Sequence, residues 1–108
     1  MTDPQRIDFS TEDPVSHDPG VTDREFEIDG TRWALVTYSP GSGREGWCDV
    51  PHSGYVAGGT ISYDFEDGSE LSISTGEGFA LPTAPRHRGR NDGAEPARLF
   101  IIDALPGA

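Results

Sequence analysis

From Glu25 onward, apolar and polar residues alternate in short runs separated by turn-forming pairs, the period expected of half-buried β-strands. Phe26 and Ile28 alternate with acids, Asp29-Gly30 is a hairpin signal, and Trp33 to Tyr38 is rich in β-formers, predicting a first hairpin. Residues 40 to 46, PGSGREG, predict a loop, and Gly54 to Gly58 a strand. The clearest strand follows, with Ile61, Tyr63 and Phe65 on one face and Thr60, Ser62, Asp64 and Glu66 on the other. Asp67-Gly68 turns it into Leu71 and Ile73, which alternate with serines. Phe79 and Leu81 begin another strand, Pro82 to Pro85 bend the chain ahead of His87, and Ala97 to Asp103 form the last strand. Eight or so short strands without helical crossovers suit a sandwich or closed barrel. No repeat of 20 to 50 residues interrupts this pattern.

Composition bounds what these strands can build. A chain of 108 residues is one domain at most, and 33 % hydrophobic content with 14 glycines and 9 prolines argues against a helical bundle. The formal charge of −11, from 19 acids against 8 basic residues, disfavours nucleic acid and anionic membrane as partners, since both are recognised by clustered positive charge. No signal peptide and no apolar run near 20 residues is evident, so a cytoplasmic protein is the expectation. The single cysteine, Cys48, rules out an internal disulfide and leaves one thiol to account for. Residues 1–22 carry acids and prolines with few apolar groups, too few to offset the entropy of ordering alone, and read as a flexible tail or a pairing arm. Residues 23–108 form the expected single domain.

The run GEGFALPTAPRHRGRN, residues 76 to 91, carries Gly76, Pro82, His87 and Asn91 at the spacing of a known motif. It resembles the second conserved motif of the cupin superfamily, with Ala84 in place of the middle glycine. The run WCDVPHSGYVAGG, residues 47 to 59, is similar to a variant first motif of small bacterial single-domain cupins, with Gly59 on the closing glycine. In that frame His52 falls where the family has glutamate, Cys48 on the second histidine and Gly46 on the first. The resemblance covers about residues 25 to 104 and implies an all-β cupin-type jelly roll, a barrel or sandwich of short antiparallel strands. It also implies that edge strands pair across a two-fold axis, giving a homodimer, and that an arm such as residues 1–22 pairs with the neighbouring subunit's sheet.

On a strand, His87 points to the side opposite Arg86 and Arg88, so His87 faces inward if the arginines face solvent. Cys48, His52 and His87 then make a candidate three-ligand set for one divalent metal ion. One thiolate and two imidazoles with an open fourth position favour Zn²⁺ by ligand type, with Fe²⁺, Ni²⁺, Cu²⁺ and Mn²⁺ also compatible. Straight backbone would hold Cys48 and His52 ~13 Å apart, so the set requires residues 48 to 52 to curl, which Pro51 favours. Other readings stand beside this one: His87 as a hydrogen-bonded core histidine, Cys48 as a small buried hydrophobe or a nucleophile activated by His52, and His52 as a polar group at the mouth of a metal-free barrel.

Trp47, Tyr38, Tyr55, Tyr63, Phe79 and Asn91 are candidate pocket residues, Trp33 a further one, and the aromatics equally serve as core. Arg44 in the glycine loop is a solvated arginine, an anchor for an acidic ligand, or a closure over the barrel. No phosphate loop, dinucleotide fingerprint or serine elbow is present. Two functions compete: a metal-dependent enzyme acting on a small organic molecule (dioxygenase, isomerase, cyclase or lyase), and a non-catalytic small-ligand-binding or sensor cupin. A structural module acting through a dimer is a third class.

Overall fold

A computed structural model describes residues 3–105; residues 1, 2 and 106–108 of the expected arm and domain lie outside the described residues. Among the described residues nine strands follow in chain order: β1 (Val15–Asp18), β2 (Val21–Ile28), β3 (Thr31–Tyr38), β4 (His52–Gly58), β5 (Thr60–Phe65), β6 (Glu70–Ser74), β7 (Gly78–Leu81), β8 (His87–Arg90) and β9 (Ala97–Ala104). All pairings are antiparallel. They assemble a six-stranded sheet in the order β1-β2-β3-β9-β4-β7 and a three-stranded sheet in the order β6-β5-β8. This is an all-β jelly roll, and its hairpins lie at the turns the sequence marks. Asp29-Gly30 joins β2 to β3, both residues with positive φ, as a two-residue hairpin needs.

Residues 15–18, within the segment expected as an arm, pair with β2 of the same chain. Ahead of them, Asp8 caps a short 3₁₀ turn, and Phe9 packs edge-on against Phe100.

The core fills the space between the sheets and follows the period of two. On β9, Ala97, Leu99, Ile101 and Asp103 all point inward. Their neighbours on β3 are Tyr38, Val36, Ala34 and Arg32, so three apolar rows end in a polar row, Arg32 beside Asp103. Across from them, Ile61, Tyr63 and Ile73 close the core from the small sheet. Each such aliphatic side chain contributes about 1.5–3 kcal/mol when fully buried. The apolar rows hold the fold, and the polar row opens at one end of it.

Both motif glycines that bound turns are used for backbone reasons. Gly59 has φ +71, and a Cβ there would lie 2.3 Å from the Pro96 carbonyl oxygen. Gly76, with φ +91, makes the turn between β6 and β7.

Candidate metal centre

Two neighbouring segments and a third that is distant in sequence meet at the polar end of the core. β4 begins at His52, β8 begins at His87, and the strand-like stretch before β4 carries Cys48. Cys48 and His87 are backbone partners: the Cys48 N–H donates to His87 O at 2.7 Å and the His87 N–H to Cys48 O at 3.0 Å. The loop ahead of Cys48 runs along β8, with Arg44 N–H donating to Gly89 O and Asn91 N–H to Ser42 O. The chain then bends at Val50 and Pro51 and returns as β4. That bend is the curl the three-ligand set requires, and it leaves Cys48 Sγ 3.7 Å from His52 Nε2.

The donor atoms of Cys48, His52 and His87 all lie within 4.8 Å of one another. Donors around a tetrahedral ion with bonds of about 2.0–2.3 Å lie roughly 3.4–3.8 Å apart, and the Cys48–His52 pair already has that spacing. The rings of His52 and His87 meet edge to face, 5.1 Å between centroids. His87 is buried, with 2 % exposure, and neither of its nitrogens has a hydrogen-bond partner. No protein group among the described residues supplies the hydrogen bonds that a satisfied core histidine would make. Burial, with the nearby His52 adding to it, pushes its pKa down to about 4. His87 is therefore neutral at physiological pH, the form that donates a lone pair to a metal ion. A buried, neutral, unpartnered imidazole beside a thiol and a second imidazole fits a bound divalent cation.

His52 is held differently. Its Nδ1 sits 2.9 and 2.8 Å from the two carboxylate oxygens of Asp103. Asp103 in turn accepts from Arg32 Nη2 at 2.7 Å, and Arg32 Nη1 donates to Glu25 at 2.7 Å. Burial alone would raise the Asp103 pKa, but the hydrogen bonds from His52 and Arg32 outweigh it and hold the carboxyl below its ordinary value. Sequence reasoning missed Asp103 and Arg32. The alternation along β9 was the available signal, because it puts Asp103 on the face of Ala97, Leu99 and Ile101.

The three side chains open into a cavity of about 480 Å³, large enough for a small organic molecule. Tyr38 and Tyr63 line its wall, and Trp47 lies at its rim with Arg88 stacked over the indole, 4.3 Å from guanidinium to ring. Arg44 also lines it, but as a tied residue rather than a solvated one. Its guanidinium pairs with Asp23 at 3.1 Å and Asp18 at 3.7 Å, and its Nε donates to the Tyr38 hydroxyl at 3.3 Å. The glycine loop is thereby fastened across β1, β2 and β3.

Four candidate pocket residues lie outside the cavity lining. Tyr55 projects from β4 beside Phe100 and is 49 % exposed, because its position alternates away from the inward-facing Val56. Phe79 is a core residue packed against Tyr63, 5.6 Å between ring centroids. Asn91 is buried and structural: its amide donates to the carbonyls of Tyr38 and Glu95, and its oxygen accepts from Gly93 N–H. Trp33, on the outer face, packs against Phe100.

No protein-family model matches the sequence, and no curated protein matches it. Solved structures match in fold. The polyketide cyclase RemF from Streptomyces resistomycificus superposes with a TM-score of 0.80 at 14 % identity, over 94 % of this chain and 79 % of its own. A cupin domain of an XRE family transcriptional regulator from Enterobacter cloacae superposes with a TM-score of 0.69 at 16 % identity, over 81 % of this chain and 98 % of its own. The chain has the cupin fold. A third cupin, a sugar phosphate isomerase from Silicibacter pomeroyi, gives a TM-score of 0.74 at 15 % identity, over 93 % of this chain and 75 % of its own. Cupins of this likeness thus include enzymes by name and a regulator's domain, so the shared barrel leaves the reaction to the site. Among the described residues no helix is long and apolar enough to cross a membrane.

Proposed function

We propose that this cupin holds one divalent metal ion on Cys48, His52 and His87 and is a metal-dependent enzyme acting on a small organic molecule in the adjoining cavity. The observation that carries this reading is the buried His87, with both nitrogens unpartnered, facing a thiol and a second imidazole. Leaving such groups unpaired costs about 1–3 kcal/mol, a cost that coordination offsets. A divalent ion held by Cys48, His52 and His87 would supply Lewis acidity toward an oxygen of a small molecule in the cavity. The chain's own residues do the rest: Tyr38 and Tyr63 shape the cavity, Arg44 ties the loop beside it, and Asp103 orients His52. A thiolate and two imidazoles match Zn²⁺ most closely by ligand type.

A nucleophilic reading of the same groups has a specific support, since Cys48, His52 and Asp103 line up as thiol, imidazole and carboxylate. It makes no use of His87. Metal coordination accounts for all three donors and is the better reading for that reason.

The test is elemental analysis of protein purified without added metal or chelator. The expected result is close to one divalent ion per chain in the wild type, with loss in a folded His87→Ala variant and reduction in Cys48→Ser. Metal far below stoichiometric in the wild type, unchanged in both variants, overturns the reading. A non-catalytic sensor cupin is the alternative, favoured by Gly46 standing where the family's first histidine would be. Metal binding without turnover of any substrate class tried would decide for it. The expected homodimer belongs with either reading, and monomer mass in light scattering would overturn it.

A further inference from the structure

We propose that Asp103, held by Arg32, is a positioning residue that fixes His52 as the Nδ1–H tautomer and so aims its Nε2 lone pair at Cys48 and His87. The consequence for metal affinity rests on the metal-centre reading, whereas the tautomer assignment does not.

A carboxylate only accepts hydrogen bonds, so the His52 nitrogen 2.8 Å from Asp103 carries a proton, and in the neutral ring, the form that binds a metal ion, the other nitrogen holds the lone pair. That other nitrogen, Nε2, is the atom 3.7 Å from Cys48 Sγ. Asp103 is itself only 5 % exposed, and a buried carboxylate is retained where charged partners hold it. Arg32 does so through a planar fork: one nitrogen on Asp103, the other on Glu25, each at 2.7 Å. A guanidinium with both ends engaged cannot swing, so the plane of the Asp103 carboxylate is set, and with it the His52 ring. The row crosses four neighbouring strands, Glu25 on β2, Arg32 on β3, Asp103 on β9 and His52 on β4, the order in which the large sheet pairs them. If Asp103 served only to pair Arg32, nothing would require both of its oxygens to lie within 2.9 Å of the His52 ring nitrogen. Carboxylates behind a ligating imidazole set its tautomer and basicity, and removing one typically costs 10–100-fold in metal affinity.

The experiment compares full-length wild type, Asp103→Asn and Asp64→Asn, the last making the same charge change in the other sheet. Imidazole ¹⁵N chemical shifts of metal-free protein report the His52 tautomer, and Co²⁺ titration reports affinity. The expected result is Nδ1–H in wild type and Asp64→Asn, loss of that preference in Asp103→Asn, and a Co²⁺ dissociation constant raised about 10–100-fold in Asp103→Asn alone. An Nε2–H tautomer in wild type overturns the proposal, as does an Asp103→Asn protein whose tautomer and affinity match those of Asp64→Asn. Absence of Co²⁺ uptake by wild type overturns the metal-centre reading instead, and the ¹⁵N result then decides the tautomer proposal alone. If Asp103→Asn fails to fold, the double variant Arg32→Gln/Asp103→Asn, which removes both charges of the pair, is read the same way.

Discussion

Cys48 and His87 are joined backbone to backbone, each donating its N–H to the other's carbonyl, at 2.7 and 3.0 Å. Two of the three donor side chains are thus positioned by the main chain itself, with the loop before Cys48 laid along β8. The third, His52, follows after one bend and is aimed by a carboxylate from β9. Donor positions set by paired backbone are insensitive to conservative side-chain changes nearby, which makes the site suitable for substitution experiments.

Replacing His87 separates a functional residue from a structural one. Because both of its nitrogens are buried without partners, His87→Leu should stabilise the metal-free protein by about 1–3 kcal/mol while abolishing metal binding. Urea denaturation of both proteins in the presence of chelator measures the difference. Destabilisation of that size instead would mean that the imidazole is satisfied in solution.

Cys48→Ser should leave the fold intact and weaken metal binding. The thiolate-to-cobalt charge-transfer absorption in the near ultraviolet should appear in Co²⁺-loaded wild type and vanish in the variant. Equal spectra would remove Cys48 from the ligand set.

Acid should destabilise the metal-free protein. The folded pKa of His87, about 4, lies below the ordinary 6.5, so between these values the unfolded chain binds more protons than the folded one. Stability then rises with pH across this window, by roughly 3 kcal/mol at about 1.4 kcal/mol per unit. Asp103, whose folded pKa is lowered, acts in the same direction further down, its contribution being lost as pH falls through that lowered value. Denaturant midpoints between pH 4 and 7 check this, and His87→Leu should flatten the upper part of the curve.

Asn91→Ala should destabilise without touching the site. It removes three hydrogen bonds and leaves the buried Tyr38 carbonyl without the amide that donates to it, a loss of about 1–3 kcal/mol or more. Thermal denaturation should show the drop, with metal affinity of the folded protein unchanged. Weakened affinity in a fully folded variant would return Asn91 to the cavity.

Leu99→Ala tests the core at a side chain with no exposure. A loss of about 2–5 kcal/mol is expected in urea unfolding, and a loss below 1 kcal/mol would contradict the close packing of the sheets.

The order of the strands from Glu25 onward, the hairpins at Asp29-Gly30 and Asp67-Gly68, and the inward face of β5 were legible because a period of two and turn chemistry are local properties, whereas β1, within the segment read as a tail or arm, was not. His87, Cys48 and His52 were legible through motif spacing, and the distance limit on straight backbone already required the bend at Val50 and Pro51. What only the tertiary structure decided is which distant residues stand behind them. Asp103 is 51 residues from His52 and 71 from Arg32, and they meet because β9 is inserted between β3 and β4. Sheet order is set by long-range pairing, which no local pattern encodes. Packing likewise decided between pocket and core for Phe79, which packs against Tyr63, and placed Asn91 against the carbonyls of Tyr38 and Glu95 rather than in the cavity, a choice that residue type alone does not mark.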